Sequence, residues 1–259
     1  MMRALYTAAS GMMAQQMNID NVSNNLANYQ TTGYKKSSVS FEDLLYATMQ
    51  EPGTDATAGT QVGMGVRATS TDRLFTQGSL QKTGNPFHVG IEGNGFFKVN
   101  LPDGQTAYTR AGDFRYNGKT NEVTTSAGHS VGIKIPSNYS NIEITPTGEV
   151  KGISNESVDG KPETLGQIKL TKFLNPSGLK AVGGNLFVET DVSGSKIEGT
   201  PGDKQLGLGA LAQGHLEKSN INIVEEMISI VQAQRSFEMS QKGVQTADEM
   251  MKMSNNLIR

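Results

Sequence analysis

Apolar side chains return every seven residues at both ends of this 259-residue chain, and that spacing limits how it can fold. Near the N-terminus Leu5, Met12, Ile19 and Leu26 recur at this interval, with Ala8, Ala9 and Val22 beside them. Toward the C-terminus Ile223, Ile230, Phe237, Val244, Met251 and Ile258 form an unbroken series of the same period. A smaller set, Ala233, Ser240, Ala247 and Ser254, runs parallel to it. Such repeats place large residues along one narrow seam of a packed helix or coiled coil. Burying six large side chains would stabilise the C-terminal helix by on the order of 10 kcal/mol, at roughly 1.5 to 3 kcal/mol each. That gain requires a partner, first the other terminus and then another copy of the chain.

The two helices differ in charge. Between Arg3 and Lys35 the only acidic or basic side chain is Asp20. Asn18, Asn21, Asn25 and Asn28, spaced three, four and three, fall on one helical face. Neutral amides suit a solvated polar face. They also suit a contact face of a homopolymer, where any charge would meet many copies of itself. The C-terminal segment opens with Asn222 as N-cap and Glu225 as its capping-box partner, and Glu225 and Glu226 suit the positive end of the helix dipole. Glu238 and Lys242 stand at i,i+4 for an ion pair. The pattern predicts a helix of about 35 residues, a length typical of coiled coils.

Between the ends the period changes to two. Val131, Ile133 and Ile135 alternate with Gly132 and Lys134, and Ile142 with Ile144 and Ile168 with Leu170 follow suit. Pro102-Asp103-Gly104, Asn117-Gly118, Pro146-Thr147-Gly148 and Pro176-Ser177-Gly178 mark turns. The expected fold is α+β, with N- and C-terminal helices pairing as a coiled coil and an all-β central domain. Its expected parts are an N-terminal helix and turn over residues 1–46, an extended Gly- and Thr-rich connector over 47–72, the β domain over 73–213, and a C-terminal helix over 214–259. One short strand, at Val62, Met64 and Val66, is expected in the connector.

A net charge of -2 gives no reason to expect nucleic acid or an anionic membrane as partner. No apolar run approaches the roughly 18 to 20 residues needed to span a bilayer. Thr7, Ser10, Gln15 and Gln16 interrupt the first apolar segment, so no cleaved signal peptide is expected. Without cysteine there are no disulfides or thiolate metal sites. No catalytic, cofactor or metal site is expected. His88, His129 and His215 lie far apart, and none has a second histidine at helical spacing. Gly63-Met64-Gly65-Val66-Arg67-Ala68 and Gly207-Leu208-Gly209-Ala210-Leu211-Ala212 both fit G-x-G-x-x-A but lack a βαβ context. Gly112-Asp113 and Asp191 read as turn residues, and Met250, Met251 and Met253 as a continuation of the seam.

Three stretches, in order along the chain, resemble the axial rod and hook proteins of the bacterial flagellum. The first is Ala27-Asn28, Thr31 or Thr32, then Gly33-Tyr34-Lys35-Lys36. The second comprises EGNGFFKV, Glu92 to Val99, and AYTRAGDF, Ala107 to Phe114. The third is the C-terminal helix, above all Gln234-Arg235-Ser236-Phe237-Glu238. Residues 47–67 resemble the insertion of distal-rod members, while Tyr29 and Thr124-Thr125-Ser126 depart from the family pattern.

The resemblance implies a structural subunit that polymerises helically into the distal rod, carries motor torque to the hook and encloses the export channel. Both termini would form the inner coiled-coil layer, with Gly33 and its neighbours turning the chain outward. Implied partners are copies of the chain itself, proximal rod subunits, hook subunits or hook base, surrounding ring proteins and the flagellar type III export apparatus. The implied location is the periplasmic rod of the basal body. Another axial subunit is one alternative, and a secreted β-rich module binding the cell wall is another. A cell-wall hydrolase would need paired carboxylates, or a nucleophile with its base, and none is assignable.

Overall fold

Alanine and unbranched side chains dominate the first segment, and it forms helix α1, Met2–Ala27. The computed structural model describes residues 2–50, 59–154 and 162–257. Ile258 of the predicted seam and residues 51–58 of the connector lie outside the described residues. Helix α2, Ile223–Leu257, has 35 residues, matching the length its repeat predicts. At its start Asn222 Oδ1 accepts from the Val224 amide at 3.1 Å, and Asn222 Nδ2 donates to Glu225 Oε1 at 3.0 Å. The acid therefore meets the cap's side chain rather than its backbone. The i,i+4 ion pair of α2 is Lys252 with Asp248 at 2.7 Å, not the expected Glu238 with Lys242.

The chain is α+β and divides into two units. The helical unit holds α1, α2 and Ser37–Arg73. Within it α1 and α2 pack together. Gly11 faces Ser240, and Asn25 faces Glu226, so the helices run antiparallel. Apart from Val22, the residues buried on the two helices are small or polar. Ala14, Val22 and Asn25 are buried on α1, and Glu226, Ala233 and Ala247 on α2. Small side chains let the helix backbones approach, and the large seam residues then flank the contact instead of filling it.

Ser37–Asp43 pairs antiparallel with Val66–Arg73, and Tyr46–Gln50 with Thr60–Gly63. The connector expected to be extended, with one strand, is thus largely paired. β-Branched residues at Val62, Val66, Thr69 and Thr71 favour this, and the strand that pairs with Val66–Arg73 precedes the connector in sequence. Gly65 has φ +108, and a Cβ there would stand 2.3 Å from Ser10 Oγ, so the ribbon crosses α1 where only glycine fits.

The second unit holds Asn28–Lys36 and Leu74–Ile221. Its central strand, Phe96–Asn100, pairs with Thr106–Thr109, Ser130–Lys134 and Leu170–Lys172, all antiparallel. Because strand side chains alternate in direction, Phe96 and Phe97 enter different cores. Phe97 packs with Val89, Ile91, Phe114, Ile133, Val150 and Leu170 among others. Phe96 joins Tyr108, Phe173, Leu179 and Phe187, largely edge to face. The predicted alternations fall in Ser130–Lys134 and Tyr139–Ile144, while Ile168 lies between strands and is buried. A three-stranded meander, Tyr139–Ile144, Glu149–Ser154 and Pro162–Gln167, completes the main pairing.

Candidate functional site

The motif runs from Ala27, the end of α1, into a turn that belongs to the β unit from Asn28 onward. Ala27 is the last residue of α1, so the helix ends six residues before Gly33. The Thr32 carbonyl accepts from Asn185 Nδ2 at 2.9 Å. Gly33 has φ +68, and a Cβ there would lie 2.6 Å from the Ala111 nitrogen. Glycine is required twice over, for the positive φ and for the close approach. The Gly33 amide donates to the Glu217 carbonyl at 2.8 Å, and Tyr34 is buried.

Beyond the tyrosine, the chain buries a lysine. Lys35 is 1% exposed, and its Nζ donates to Glu217 Oε1 at 2.6 Å and to the Thr76 carbonyl at 2.7 Å. The other carboxylate oxygen of Glu217 accepts from Arg110 Nε at 2.9 Å. Arg110 Nη1 donates to the carbonyls of Gly93 and Gly95, at 2.8 and 2.7 Å. The Gly78 amide donates to Glu217 Oε1 at 2.9 Å. One buried anion thus serves two buried cations, and backbone groups complete the shell. Such charges stay ionised only when paired and hydrogen-bonded. Burial pushes the Lys35 amine below its ordinary value, with the Glu217 carboxylate pulling the other way.

The same cluster gathers three passages of the chain. The Lys36 amide donates to Asn220 Oδ1 at 2.8 Å, the Leu74 amide to the Lys36 carbonyl at 2.9 Å, and Asn220 Nδ2 to the Leu74 carbonyl at 2.8 Å. The sequence offered Lys35 and Arg110 only as letters of separate motifs and did not single out Glu217. The signal that could have found them is a charge set between aromatic, glycine and alanine residues, as in GYK and YTRAG.

On the helices every described residue of the predicted seam is half-buried. Leu5, Met12, Ile19, Leu26, Ile223, Ile230, Phe237, Val244 and Met251 all keep part of their surface open. Tyr6, Met13 and Met17 on α1 are exposed, as are Val224, Met227, Ile228, Val231, Met239, Met250 and Met253 on α2. Gln234, Arg235 and Glu238 are exposed around Phe237.

The amide face divides. Asn25 is fully buried: its Nδ2 donates to the Ser37 carbonyl at 2.8 Å, and its Oδ1 accepts from the Ser37 amide at 3.0 Å. Asn21 Nδ2 also donates to the Ser37 carbonyl at 2.8 Å, and its Oδ1 accepts from the Ser37 hydroxyl. These two amides hold the start of the ribbon to α1. Asn18 and Asn28 are half-buried.

His88 meets Thr83 and Asn85, His215 Nδ1 lies 2.8 Å from the Gln213 carbonyl, and His129 sits near a hairpin tip. Both G-x-G-x-x-A stretches lead into strands rather than helices. Among the described residues no group of three or more His, Cys, Asp or Glu side chains could hold a metal ion. No described helix is long and apolar enough to cross a membrane.

Comparison with known proteins yields three matching family models. Residues 5–35 match the model described as flagella basal body rod protein. Residues 90–152 match the flagellar hook protein FlgE/F/G D1 domain, and 212–257 the flagellar basal body rod FlgEFG protein C-terminal model. The flagellar basal-body rod protein FlgG of Borreliella burgdorferi is 47% identical, with both chains covered completely. FlgG of Bacillus subtilis is 36% identical, also over 100% of both chains. The flagellar basal-body rod protein FlgF of Mesorhizobium japonicum is 32% identical over 92% of this chain and 90% of its own.

Proposed function

The chain belongs to the FlgG family of flagellar basal-body rod proteins, and from that membership we propose that it is a structural subunit of the distal rod. Copies of it polymerise helically, transmit motor torque to the hook and enclose the export channel. The termini, 1–46 and 214–259, form the inner coiled-coil layer. The connector, 47–72, contacts neighbouring subunits, and residues 73–213 form the central β domain. Its partners are further copies, proximal rod and hook subunits, ring proteins around the rod and the type III export apparatus. It resides in the periplasmic rod, is exported without cleavage and acts mechanically, not as an enzyme.

The observation that supports this most is the state of the helix pair. Close packing consumes Gly11, Ala14, Ala233 and Ala247, while every described large seam residue stays half-buried and ten apolar side chains of α1 and α2 stay exposed. Helices with so much open apolar surface are stabilised by further protein. Negative-stain microscopy of the purified chain at high concentration tests this. Rods of uniform diameter are expected, and discrete small oligomers at every concentration would count against the proposal.

A further inference from the structure

We propose that the polar cavity beside the 28–33 turn receives a lysine or arginine side chain from a second copy of this chain. The cavity measures about 300 Å³ and lies wholly within the β unit. Thr31, Thr32, Asp113, Ser126, His129 and Asn185 contribute polar groups to its wall, and no lysine or arginine lines it. Several of these groups are already used: Thr31 Oγ1 donates to Asn28 Oδ1 at 3.3 Å, and Asn185 Nδ2 to the Thr32 carbonyl at 2.9 Å. The Asp113 carboxylate and the His129 ring have no hydrogen-bond or ion-pair partner among the described residues.

Both groups stand on fixed backbone. Asp113 forms a β-bridge with His88 and precedes Phe114, which is buried in the larger core. On its other side Gly112 is so close to Val89 that a Cβ would lie 1.7 Å from the Val89 carbonyl oxygen. His129 closes a hairpin in which its carbonyl accepts from the Thr125 amide at 2.8 Å. A carboxylate held this way loses little freedom on binding.

The chemistry of the wall selects the occupant. A carboxylate and hydroxyls accept hydrogen bonds, so a group rich in N–H donors and positively charged fits, and an anion is repelled. Ser126, His129 and Asp113 are not hydrogen-bonded to one another, so they form no nucleophile relay. The volume, at the lower end for ligand sites, admits one long side chain and part of its backbone. The identity of the partner rests on the rod-subunit reading: in a helical homopolymer each cavity meets the same surface of a neighbour. The chain carries 23 lysines and arginines, and Lys119 and Lys204 stand exposed on turns.

The test uses rods assembled from equal parts of ordinary and ¹⁵N-labelled full-length chain, treated with a water-soluble carbodiimide. The reagent activates a carboxylate, a touching amine displaces it to form an amide, and the carboxylate oxygen leaves in the urea. Peptide mass spectrometry should find Asp113 joined to a lysine of the other isotopic population in rods, and not in monomers. In parallel, Asp113→Asn and Ser126→Lys should each raise the critical concentration for assembly roughly tenfold, with the difference shrinking in about 0.5 M salt. A raised critical concentration without the cross-link identifies the occupant as arginine, whose guanidinium does not couple. Rods that form at the unmodified critical concentration with both variants would overturn this proposal and leave the rod reading intact. Chains that never form rods would overturn both.

Discussion

Lys35 and Glu217, 182 residues apart in sequence, meet at 2.6 Å with both side chains essentially removed from solvent. Because Arg110 reaches the same carboxylate at 2.9 Å, the cluster holds two cations around one anion. Neutralising the anion should therefore cost more than removing one cation. Glu217→Gln leaves two buried positive charges without a counter-charge and should destabilise the β unit by about 3–5 kcal/mol. Lys35→Met leaves a balanced Arg110–Glu217 pair and should cost about 1–3 kcal/mol. Urea denaturation measures both, and the reverse order would refute this account of the cluster.

Gly33 should tolerate no side chain. Gly33→Ala adds a Cβ at positive φ, 2.6 Å from the Ala111 backbone, and should cost about 3 kcal/mol or more. Gly104 has φ +76, but a Cβ there would meet nothing within 4 Å, so Gly104→Ala isolates the conformational cost, roughly 1–2 kcal/mol. Equal melting temperatures for the two variants would show that the approach to Ala111 is not tight.

Alkaline pH should weaken the β unit through Tyr108. Burial, aided by the charges of Glu189 and Glu198, raises its phenol from 10.0 to about 12. The unfolded chain loses the phenolic proton first, so this contribution is intact below pH 10 and is lost between pH 10 and about 12. Its full size is at most about 3 kcal/mol. Lys35 acts with the opposite sign: its lowered value means that stability from this group increases as pH rises toward 10.5. Comparison with Tyr108→Phe separates the two. The variant should lose less stability across the same interval, and parallel curves would rule the tyrosine out.

Two amides on one helical face should differ sharply. Asn25→Ala removes the bonds to both backbone groups of Ser37 and should cost about 1–3 kcal/mol. Asn18→Ala should change the stability of the monomer by no more than about 0.5 kcal/mol. Hydrogen exchange at Ser37 should quicken only in the first variant, and quickening in both would refute the assignment.

Phe237→Asp should separate folding from assembly. None of the residues in the two β cores lies on α2, so the β unit should keep its melting temperature. The half-buried seam would gain a charge, costing several kcal/mol wherever neighbouring copies cover it. Soluble subunits that no longer form rods are expected, and rods of normal length would mean that the seam is not an assembly contact.

Periodicity carried much of the fold. A seven-residue repeat between Ile223 and Leu257 has one solution, and α2 adopts it, because helical hydrogen bonds and side-chain spacing are local. Alternation at Val131 and Ile133, or at Ile142 and Ile144, is local in the same way and gave strands. Which seven-residue series would lie innermost was not local. Ala233 and Ala247 are buried and Phe237 half-buried, because two helices approach most closely where side chains are smallest, and that depends on Gly11 and Ala14 of the other helix. The pairing of Ser37–Asp43 with Val66–Arg73 likewise required a partner that the connector itself does not contain.

The sequence alone determined the two long helices, the β-rich middle, the need for glycine near position 33 and the family to which the chain belongs, since each is written in neighbouring residues or short motifs. Folding in three dimensions brings Lys35, Arg110 and Glu217 to one buried site and Asn25 to Ser37, and no short motif encodes either. The physical reason is distance along the chain. A lone lysine or asparagine in a sequence reads as a solvated residue, and its burial becomes favourable only when folding delivers a carboxylate or an open backbone pair to within about 3 Å.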